Sequence, residues 1–346
     1  MANKLRIKPS IYILEETPAV YQVIFTGTRL IKRFGVDDLV KEVIAKVPQS
    51  KSEEHLLTSL KQRFGNLEVI SCINSLESQG ILERFDTSYS NDRFSKQVSF
   101  LSELTGSWED AIKIQKDLQK KKVAVFGVGG IGTWMVNGLY QIGIGELRIV
   151  DKDVVQLSNL NRQLYFNAHD LGKSKVDVVK QKIPDANIIA YKRWVSENEN
   201  LEDITNGCDF LVNCTDNPSV ADTTRIISKY ARQQNIPYLA SGGYNLHLGM
   251  VGPIIVPGKN ACFDCFLANQ KENDKLSKLK KIHDIEQTGN LGPIAGTIAN
   301  LQVMDIFKYF THTGSYNSNR FAEINFLDFS VEWRQYKQRD GCDCVV

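Results

Sequence analysis

The sequence predicts an α/β fold in which a doubly wound, mainly parallel sheet follows a smaller domain of strands and helices. Two observations carry this prediction. From about residue 120, continuous apolar strands alternate with helical stretches, which is typical of a parallel sheet covered on both faces. Before about residue 90, alternating and β-branched runs precede three amphipathic helical segments. The length of 346 residues also favours two domains.

The smaller domain is predicted to span residues 1–90. Runs between residues 5 and 33 predict a small sheet, and Ser52 and Asn66 stand where the N-terminal caps of the second and third helices belong. The arrangement resembles a winged helix-turn-helix, and the polar stretch 86–93 reads as a linker to the larger domain, residues 91–346. The three helical patterns occupy residues 36–47, 52–64 and 66–85.

Composition and charge exclude several classes of protein. Hydrophobic residues make up 42% of the chain and charged residues 24%, which supports a sizeable core and argues against a disordered chain. A formal net charge of +2 gives no reason to expect nucleic acid or a membrane as the main partner. The first residues lack a signal-peptide pattern, and no apolar run reaches the roughly 20 residues that span a bilayer. We therefore expect a cytoplasmic protein.

A glycine-rich turn stands between the buried strand "KKVAVF" and the helix that follows it. Gly127, Gly129 and Gly132 form the pattern G-x-G-x-x-G, with Gly130 inside it. These glycines allow a tight turn and let backbone N–H groups approach phosphates at the positive end of the helix. Asp151 ends the next strand, where it can accept a hydrogen bond from a ribose hydroxyl. Alone, this Rossmann-like pattern predicts a nucleotide site, and NAD is its commonest ligand.

The polar segment that begins at Asp151 favours ATP over NAD. Arg162 offers a planar fork for phosphate oxygens, and Lys175 adds a compact positive charge. Hydride transfer needs no such charges, whereas attack on the α-phosphate of ATP does, because negative charge is redistributed there in the transition state. Asp216 follows a later strand at the same edge of the sheet and can hold Mg²⁺. The alternative is a solvated loop, with Asp216 as a helix cap.

Together, the motifs "GxGGIG", "DxDxVxxSNLxRQ", "GKSK" and "CTDN" resemble those of the ThiF/MoeB-like enzymes, which adenylate ubiquitin-like proteins. The resemblance covers roughly residues 92–346. It implies an enzyme, an adenylyltransferase that uses ATP and Mg²⁺ and is commonly a homodimer, with Arg162, Lys175 and Asp216 as catalytic residues and Asp216 as the Mg²⁺ ligand. The nucleotide contacts expected on this basis are Gly127, Gly129, Gly130, Gly132, Asp151, Asp153, Asn159, Arg162, Gln163 and Lys175.

A further motif of the family, "RYxRQ", lends an arginine to the partner subunit's site. The corresponding segment here reads "RFSKQ", in which Arg93 matches the first arginine and Lys96 replaces the second. The replacement keeps the positive charge and loses the planar fork. Lys96 is therefore a candidate catalytic residue that acts in the partner subunit.

Two close pairs of cysteines indicate a metal site. Cys262 and Cys265 form C-x2-C, and Cys342 and Cys344 form C-x-C, one residue shorter than the family's usual second pair. Four thiolates suit a closed, tetrahedral, structural Zn²⁺ site, and free or redox-active thiols are the alternative. An odd total of seven cysteines argues against a disulfide scaffold. The three other cysteines, Cys72, Cys208 and Cys214, are expected in core packing.

The crossover between Cys265 and the helix that begins near residue 292 contains no further cysteine. Family members that form a thioester or persulfide use such a residue, so its absence favours simple adenylation. The crossover is also rich in lysine, which indicates a solvated face or, alternatively, contact with an acidic substrate. These lysines are Lys275, Lys278, Lys280 and Lys281.

The smaller domain bears on the substrate. A small sheet with three helices resembles the leader-recognition domains of peptide-modifying enzymes, in which a precursor peptide adds as a strand to the sheet edge. DNA binding is disfavoured because the third helix carries no Lys or Arg. With the adenylation motifs, the chain resembles the microcin C-type and pantocin A-type enzymes.

We therefore expect ATP-dependent activation of a carboxylate on a small ribosomal precursor peptide during biosynthesis of a peptide antibiotic. Two alternatives remain open at this point. The substrate could be a sulfur-carrier protein that ends in Gly-Gly. The chain could also be a non-enzymatic partner that presents a leader peptide to another enzyme, although a mere presenter has no need for the residues of an ATP site.

Overall fold

The structure is a computed structural model that describes residues 3–89, 91–240, 243–273 and 289–345. It divides into two compact units, Met1–Gln115 and Lys116–Val346. The sequence places a domain boundary near residue 90, whereas the first unit also takes in residues 91–115. No helix among the described residues is both long enough and apolar enough to cross a membrane.

The first unit contains a two-stranded and a three-stranded antiparallel sheet, of order β1-β5 and β2-β3-β4. Val23, Val43, Leu56 and Ile73 are fully buried in the core that the strands share with the helices. The predicted small sheet and three helices are thus present. The elements are β1 (Asn3–Ile7), β2 (Ile11–Thr17), β3 (Val20–Phe25), β4 (Leu30–Gly35), α1 (Asp38–Lys46), α2 (Glu53–Leu60), α3 (Asn66–Ser78), β5 (Leu82–Asp86), α4 (Ser95–Thr105) and α5 (Trp108–Leu118), of which α5 runs past the division between the units.

The caps of α2 and α3 test two sequence predictions. The Ser52 hydroxyl accepts a hydrogen bond from the His55 N–H (3.1 Å), so the predicted cap of α2 is confirmed. The prediction for α3 is wrong, because Asn66 is already helical and Gly65 is the cap. There the Glu68 carboxylate reaches back and accepts from the Gly65 N–H (3.0 Å), so the third helical residue satisfies the backbone donor of the cap.

The second unit is built on a six-stranded sheet of order β13-β10-β9-β6-β7-β8, parallel except for the edge strand β13 (Ile254–Ile255). The predicted α/β fold with a mainly parallel, Rossmann-like sheet is confirmed. β9 shows why the prediction worked, since all four of its residues are buried, as expected for a strand covered on both faces. The elements up to its edge are β6 (Lys122–Phe126), α6 (Gly130–Gln141), β7 (Glu146–Val150), α7 (Lys175–Lys182), β8 (Ile188–Tyr191), α8 (Glu202–Thr205), β9 (Phe210–Asn213), α9 (Val220–Gln233) and β10 (Tyr238–Ala240).

A second, four-stranded antiparallel sheet of order β11-β12-β14-β15 was not predicted. Its strands are separated in sequence by a long helix, α11, which packs closely against α6. A Cβ at Gly138 of α6 would lie 2.8 Å from a methyl of Val303, so the two helices approach through a glycine. The remaining elements are β11 (Tyr244–Asn245), β12 (Leu248–Val251), β13 (Ile254–Ile255), α10 (Phe263–Asn273), α11 (Gly292–Thr311), β14 (Arg320–Asn325) and β15 (Ser330–Gln335).

Candidate nucleotide site and metal centre

The glycine turn follows β6 at the carboxyl edge of the parallel strands. Gly127 has φ +87°, and a Cβ there would lie 2.8 Å from the carbonyl of Cys214, which follows β9. A Cβ at Gly132 would lie 1.9 Å from the Gly127 carbonyl oxygen. Backbone therefore fills the space of a side chain at both positions. These two glycines are required by the packing of the turn itself.

The other two glycines of the turn are less confined. A Cβ at Gly129 would meet nothing nearer than the Gln163 amide nitrogen at 4.0 Å. At Gly130 it would lie 3.1 Å from the Tyr244 hydroxyl and 3.5 Å from Cδ of Arg162. Gly129 and Gly130 thus open α6 towards the surrounding polar side chains, where N–H groups at the start of a helix favour an anion.

Asp151 joins the glycine turn to the segment after β7. Its Oδ2 accepts from the Val128 N–H (2.9 Å), and its Oδ1 accepts from the Asp153 N–H (2.8 Å). Burial raises the pKa of Asp151, and the nearby charge of Lys175 opposes that rise. The carboxylate therefore fixes the backbone of two adjoining loops, in addition to the ribose contact predicted from the sequence.

Lys175, the first residue of α7, is placed by two contacts with one residue. Its ammonium lies 2.7 Å from Oδ2 of Asp153, and its backbone N–H donates to the Asp153 carbonyl (3.1 Å). The lysine side chain is 8% exposed and that of Asp153 46%. The ion pair fixes the ammonium at this edge of the sheet, and an ammonium has three N–H donors to share among acceptors.

Arg162 is anchored through its backbone and its side chain. Its carbonyl accepts from the Trp134 indole N–H (3.1 Å). Its Nη1 donates to the Ser158 carbonyl (2.5 Å) and to the Asn161 side chain (3.0 Å). The guanidinium is thus held beside the glycine turn, since its aliphatic part approaches Gly130.

Asn159 and Gln163 are both buried next to Arg162. The Asn159 Oδ1 accepts from the Gln156 N–H (3.0 Å), a contact that shapes the loop. Gln163 lies near Gly129, and its Oε1 has no hydrogen-bond partner among the residues that the structure describes. A buried acceptor without a partner is unusual and is consistent with a contact that a ligand would supply.

Asp216 lies in the loop after β9, which the Asn213 side chain braces by accepting from the backbone N–H and the hydroxyl of Thr215 (3.0 and 2.6 Å). Asp216 is exposed. Burial raises the pKa of Tyr244, and the charges of Arg162 and Asp216 act on that pKa in opposite directions. Asp216 and Arg162, which are 54 residues apart in sequence, therefore both lie near this hydroxyl.

Tyr244 is the site residue that sequence reasoning missed. It belongs to β11, in the sheet that the sequence did not predict, and no motif surrounds it. Trp134, which holds the Arg162 carbonyl, was also missed. Both residues are recognised as part of the site only from their packing and contacts in the structure, and these depend on the tertiary fold.

Two groups of predicted residues lie elsewhere. Lys96 is exposed on α4, in the first unit, and its action in a partner subunit stays a prediction. The crossover lysines Lys275, Lys278, Lys280 and Lys281 fall outside the described residues.

The four cysteines predicted to bind metal come together in the second unit. All four Sγ atoms lie within 4.8 Å of one another, and three pairs are 3.7, 3.9 and 3.8 Å apart. For a Zn–S distance of about 2.3 Å, the edge of a tetrahedron is about 3.8 Å. The set therefore fits a tetrahedral ion. The cysteines are Cys262, Cys265, Cys342 and Cys344.

The electrostatics of this cluster also suit a cation. Burial raises the pKa of the Cys262 thiol to about 12, so a thiolate here requires nearby positive charge.

Two other cysteines lie outside this cluster and pack in or against a hydrophobic core. Cys208 is buried in the core, and Cys72 packs against the core of the first unit, as predicted; burial raises both pKa values to about 11.

The glycine turn, the anchored Arg162 and Lys175, and the acidic residue after β9 define an enzyme of the adenylating class. The sequence model of the ThiF family matches residues 95–345, and the chain belongs to the ThiF family. Its members use ATP, and the protein is an enzyme of ATP-dependent adenylation.

Two relatives that are named as adenylating or activating enzymes support this assignment. The chain is 26% identical over 244 residues to the sulfur carrier protein ThiS adenylyltransferase of Escherichia coli, which covers 68% of this chain and 89% of the relative. It is 26% identical over 232 residues to the SAMP-activating enzyme E1 of Haloferax volcanii, which covers 66% and 81%.

Solved structures extend the likeness in fold to the first unit. E. coli MccB with ATP superposes with a TM-score of 0.72 at 19% identity and covers 99% of both chains. MccB has also been solved with N-formylated MccA, with a TM-score of 0.71 at 21% identity, covering 98% of this chain and 99% of that one. PaaA gives a TM-score of 0.64 at 23% identity and covers 81% of this chain and 96% of its own.

Proposed function

We propose that this enzyme adenylates a carboxylate of a small ribosomal precursor peptide, as a step in the biosynthesis of a peptide antibiotic. One observation carries the proposal. The fold of MccB, a protein solved with the peptide MccA, matches 99% of this chain, whereas the ThiF family model begins only at residue 95. The unit in front of the adenylation core is therefore shared with a fold that binds a peptide.

The reaction places a carboxylate oxygen of the peptide on the α-phosphorus of ATP. The bond from that phosphorus to the oxygen that bridges to the β-phosphate breaks, and pyrophosphate leaves with those electrons. The product is an acyl-adenylate. In this proposal the N–H groups at Gly129 and Gly130, the Arg162 guanidinium and the Lys175 ammonium bind the phosphates and offset the charge that develops on them.

Asp216 is the residue that would hold Mg²⁺ here, because a hard cation prefers oxygen ligands and this carboxylate is exposed at the same sheet edge. A bound Mg²⁺ would neutralise charge on the departing pyrophosphate. The four thiolates of the cysteine cluster would hold a structural Zn²⁺, with no ligand position open for chemistry.

The first unit offers an edge strand for the peptide. β4 is at one edge of the three-stranded sheet, and a groove of about 570 Å³ runs between β4 and α3. Phe34 and Gly35 of β4 line it together with Leu67, Ser71 and Cys72 of α3. A peptide paired with the backbone of β4 would point alternate side chains into this groove, so main-chain bonds would give affinity and the groove selectivity.

Filling the groove tests the proposal in the full-length chain. Ser71 is exposed and lines the groove, so Ser71→Trp should weaken binding of the precursor peptide about tenfold or more, with ATP affinity unchanged. Asn74→Trp is the matched control, since Asn74 is exposed on α3 and does not line the groove. Equal peptide affinity in the two variants, measured by titration calorimetry, would contradict peptide binding at this groove.

A homodimer in which Lys96 enters the partner subunit's site forms part of the proposal. Its support is the position of Lys96 in "RFSKQ" and its exposure on α4. Mixing Lys96→Ala protein with Asp216→Asn protein should then restore activity that each lacks alone, because a mixed dimer has one intact site. Failure of the mixture to exceed the separate activities would refute the contact.

Activation of a sulfur-carrier protein is the second candidate, and the 26% identity with the E. coli ThiS adenylyltransferase favours it. The two candidates differ in the acceptor. ATP–pyrophosphate exchange that depends on a Gly-Gly-ended carrier, and not on a precursor peptide, would replace the peptide proposal while leaving adenylation intact.

A further inference from the structure

Tyr244 brings the second, antiparallel sheet into the nucleotide site. Its ring packs with Ile131, Ile324 and Phe326 against a buried cluster centred on Ile298. This packing leaves the hydroxyl at the other end of the side chain, 3.1 Å from where a Cβ of Gly130 would lie. The hydroxyl is therefore carried on a rigid apolar base and directed at the start of α6.

The hydroxyl lies beside the Arg162 side chain, since the hydroxyl oxygen and Cδ of Arg162 are 3.1 and 3.5 Å from the same point, the Cβ position of Gly130. Burial raises the pKa of Tyr244, an effect that Arg162 opposes and Asp216 reinforces, so the group stays a neutral hydroxyl at neutral pH. A neutral hydroxyl can accept from a guanidinium and still donate its own proton.

The position of the Tyr244 hydroxyl bears on the attraction between Arg162 and Asp216. A guanidinium and a carboxylate at one sheet edge attract each other, and pairing would turn Arg162 away from a bound nucleotide. Ser158 and Asn161 hold one end of the guanidinium, its Nη1, and the Tyr244 hydroxyl lies beside the aliphatic part of the same side chain. A neutral oxygen at this place offers the other end of the guanidinium an acceptor other than Asp216.

We propose that Tyr244 is a positioning residue that orients the Arg162 guanidinium toward the phosphates of ATP and keeps it from pairing with Asp216. The proposal rests on the nucleotide site proposed above and adds a residue from outside the glycine turn and its polar segment. It also gives a reason for the glycine at position 130, where a Cβ would crowd the Tyr244 hydroxyl at 3.1 Å.

A double-mutant cycle in the full-length protein tests this role without any knowledge of the acceptor. Tyr244→Phe keeps the ring on its apolar base and should weaken Mg²⁺–ATP binding about tenfold, or about 1.4 kcal/mol, while binding of adenosine, which lacks phosphates, stays unchanged. In an Arg162→Met background, Tyr244→Phe should cost nothing further. Tyr165→Phe is the control, because it removes a hydroxyl that hydrogen bonds with Asn137 (3.0 Å) in the same unit.

The possible results separate the two levels of the proposal. Additive losses in the double variant, or ATP affinity in Tyr244→Phe equal to that in Tyr165→Phe, would overturn the role of Tyr244 alone. Unchanged ATP affinity in Arg162→Met would overturn both this role and the proposed nucleotide site. Loss of adenosine binding in Tyr244→Phe would show a general structural role and would also overturn the inference.

Discussion

The two units hold their candidate sites in different ways. In the second unit, backbone approaches backbone at Gly127 and Gly132, and single side chains such as Asp151 bind two loops at once. In the first unit, the groove is bordered by a strand edge and by side chains of a helix, such as Ser71 and Cys72. Chemistry at a phosphate requires fixed charges, whereas recognition of an extended peptide requires an edge and space. The difference explains why motifs mark one site and not the other.

The contrast is sharpest for glycine. Gly132→Ala would place a methyl 1.9 Å from a carbonyl oxygen, so we expect a loss of about 4 kcal/mol or more in the free energy of unfolding. Gly27→Ala in the first unit meets nothing within 4 Å and should change stability by less than about 0.5 kcal/mol. Chemical denaturation of both variants measures the comparison, and equal stabilities would break it.

The cysteine cluster predicts the next largest effect. Cys265→Ser should remove about one Zn²⁺ per chain and lower the free energy of unfolding by about 3 kcal/mol, because bound metal stabilises only the folded state. Cys208→Ser changes a buried cysteine outside the cluster and should leave the metal content intact. Metal content is measured by elemental analysis and stability by thermal unfolding. A wild-type protein that holds no metal, and that is no more stable than Cys265→Ser, would contradict the zinc site.

Asp216 is expected to affect chemistry without affecting the fold. Asp216→Asn should slow pyrophosphate release about 100-fold, since the ligand proposed for Mg²⁺ is lost, while the melting temperature stays the same. Asp203→Asn is a suitable control because Asp203 forms only an exposed ion pair with Arg193 (2.8 Å). Equal rates for the two variants would remove the metal role of Asp216.

The smallest effect concerns Gly130. Gly130→Ala should lower stability by about 1 kcal/mol, because the new methyl meets the Tyr244 hydroxyl at 3.1 Å. Tyr244→Phe removes that oxygen and should restore most of the loss in the double variant. Thermal unfolding without nucleotide is the measurement, and an unrelieved loss would show that Tyr244 is not the obstacle.

Much of the second unit was predictable because its signals are local. The apolar strands, the glycine turn and the acid after β7 are each readable within a few residues, and the structure brings Asp151, Asp153 and Lys175 together. The two cysteine pairs were also readable as pairs. Their approach across 79 residues was an inference from chemistry that the geometry bears out.

The misses arise where structure depends on distant contacts. Asn66 had the right residue type for an N-cap, but Gly65 is the cap, and its N–H is satisfied by Glu68. The helix therefore begins one residue earlier than predicted. The antiparallel sheet escaped prediction because α11 separates its strands in sequence. Tyr244 was missed for the same reason, since its position follows from that sheet.

The cysteine cluster has a consequence for the chain between its two pairs. A metal ion held by all four thiolates would close the chain from Cys265 to Cys344, which are 79 positions apart in sequence, into a ring in the folded state. This ring carries α11, whose Gly292 lies so close to the Asn161 carbonyl that a Cβ would approach it to 2.8 Å. A metal ion at the cysteine cluster would therefore help to hold α11, the helix that packs against the Arg162 loop, although the cluster lies outside the nucleotide site.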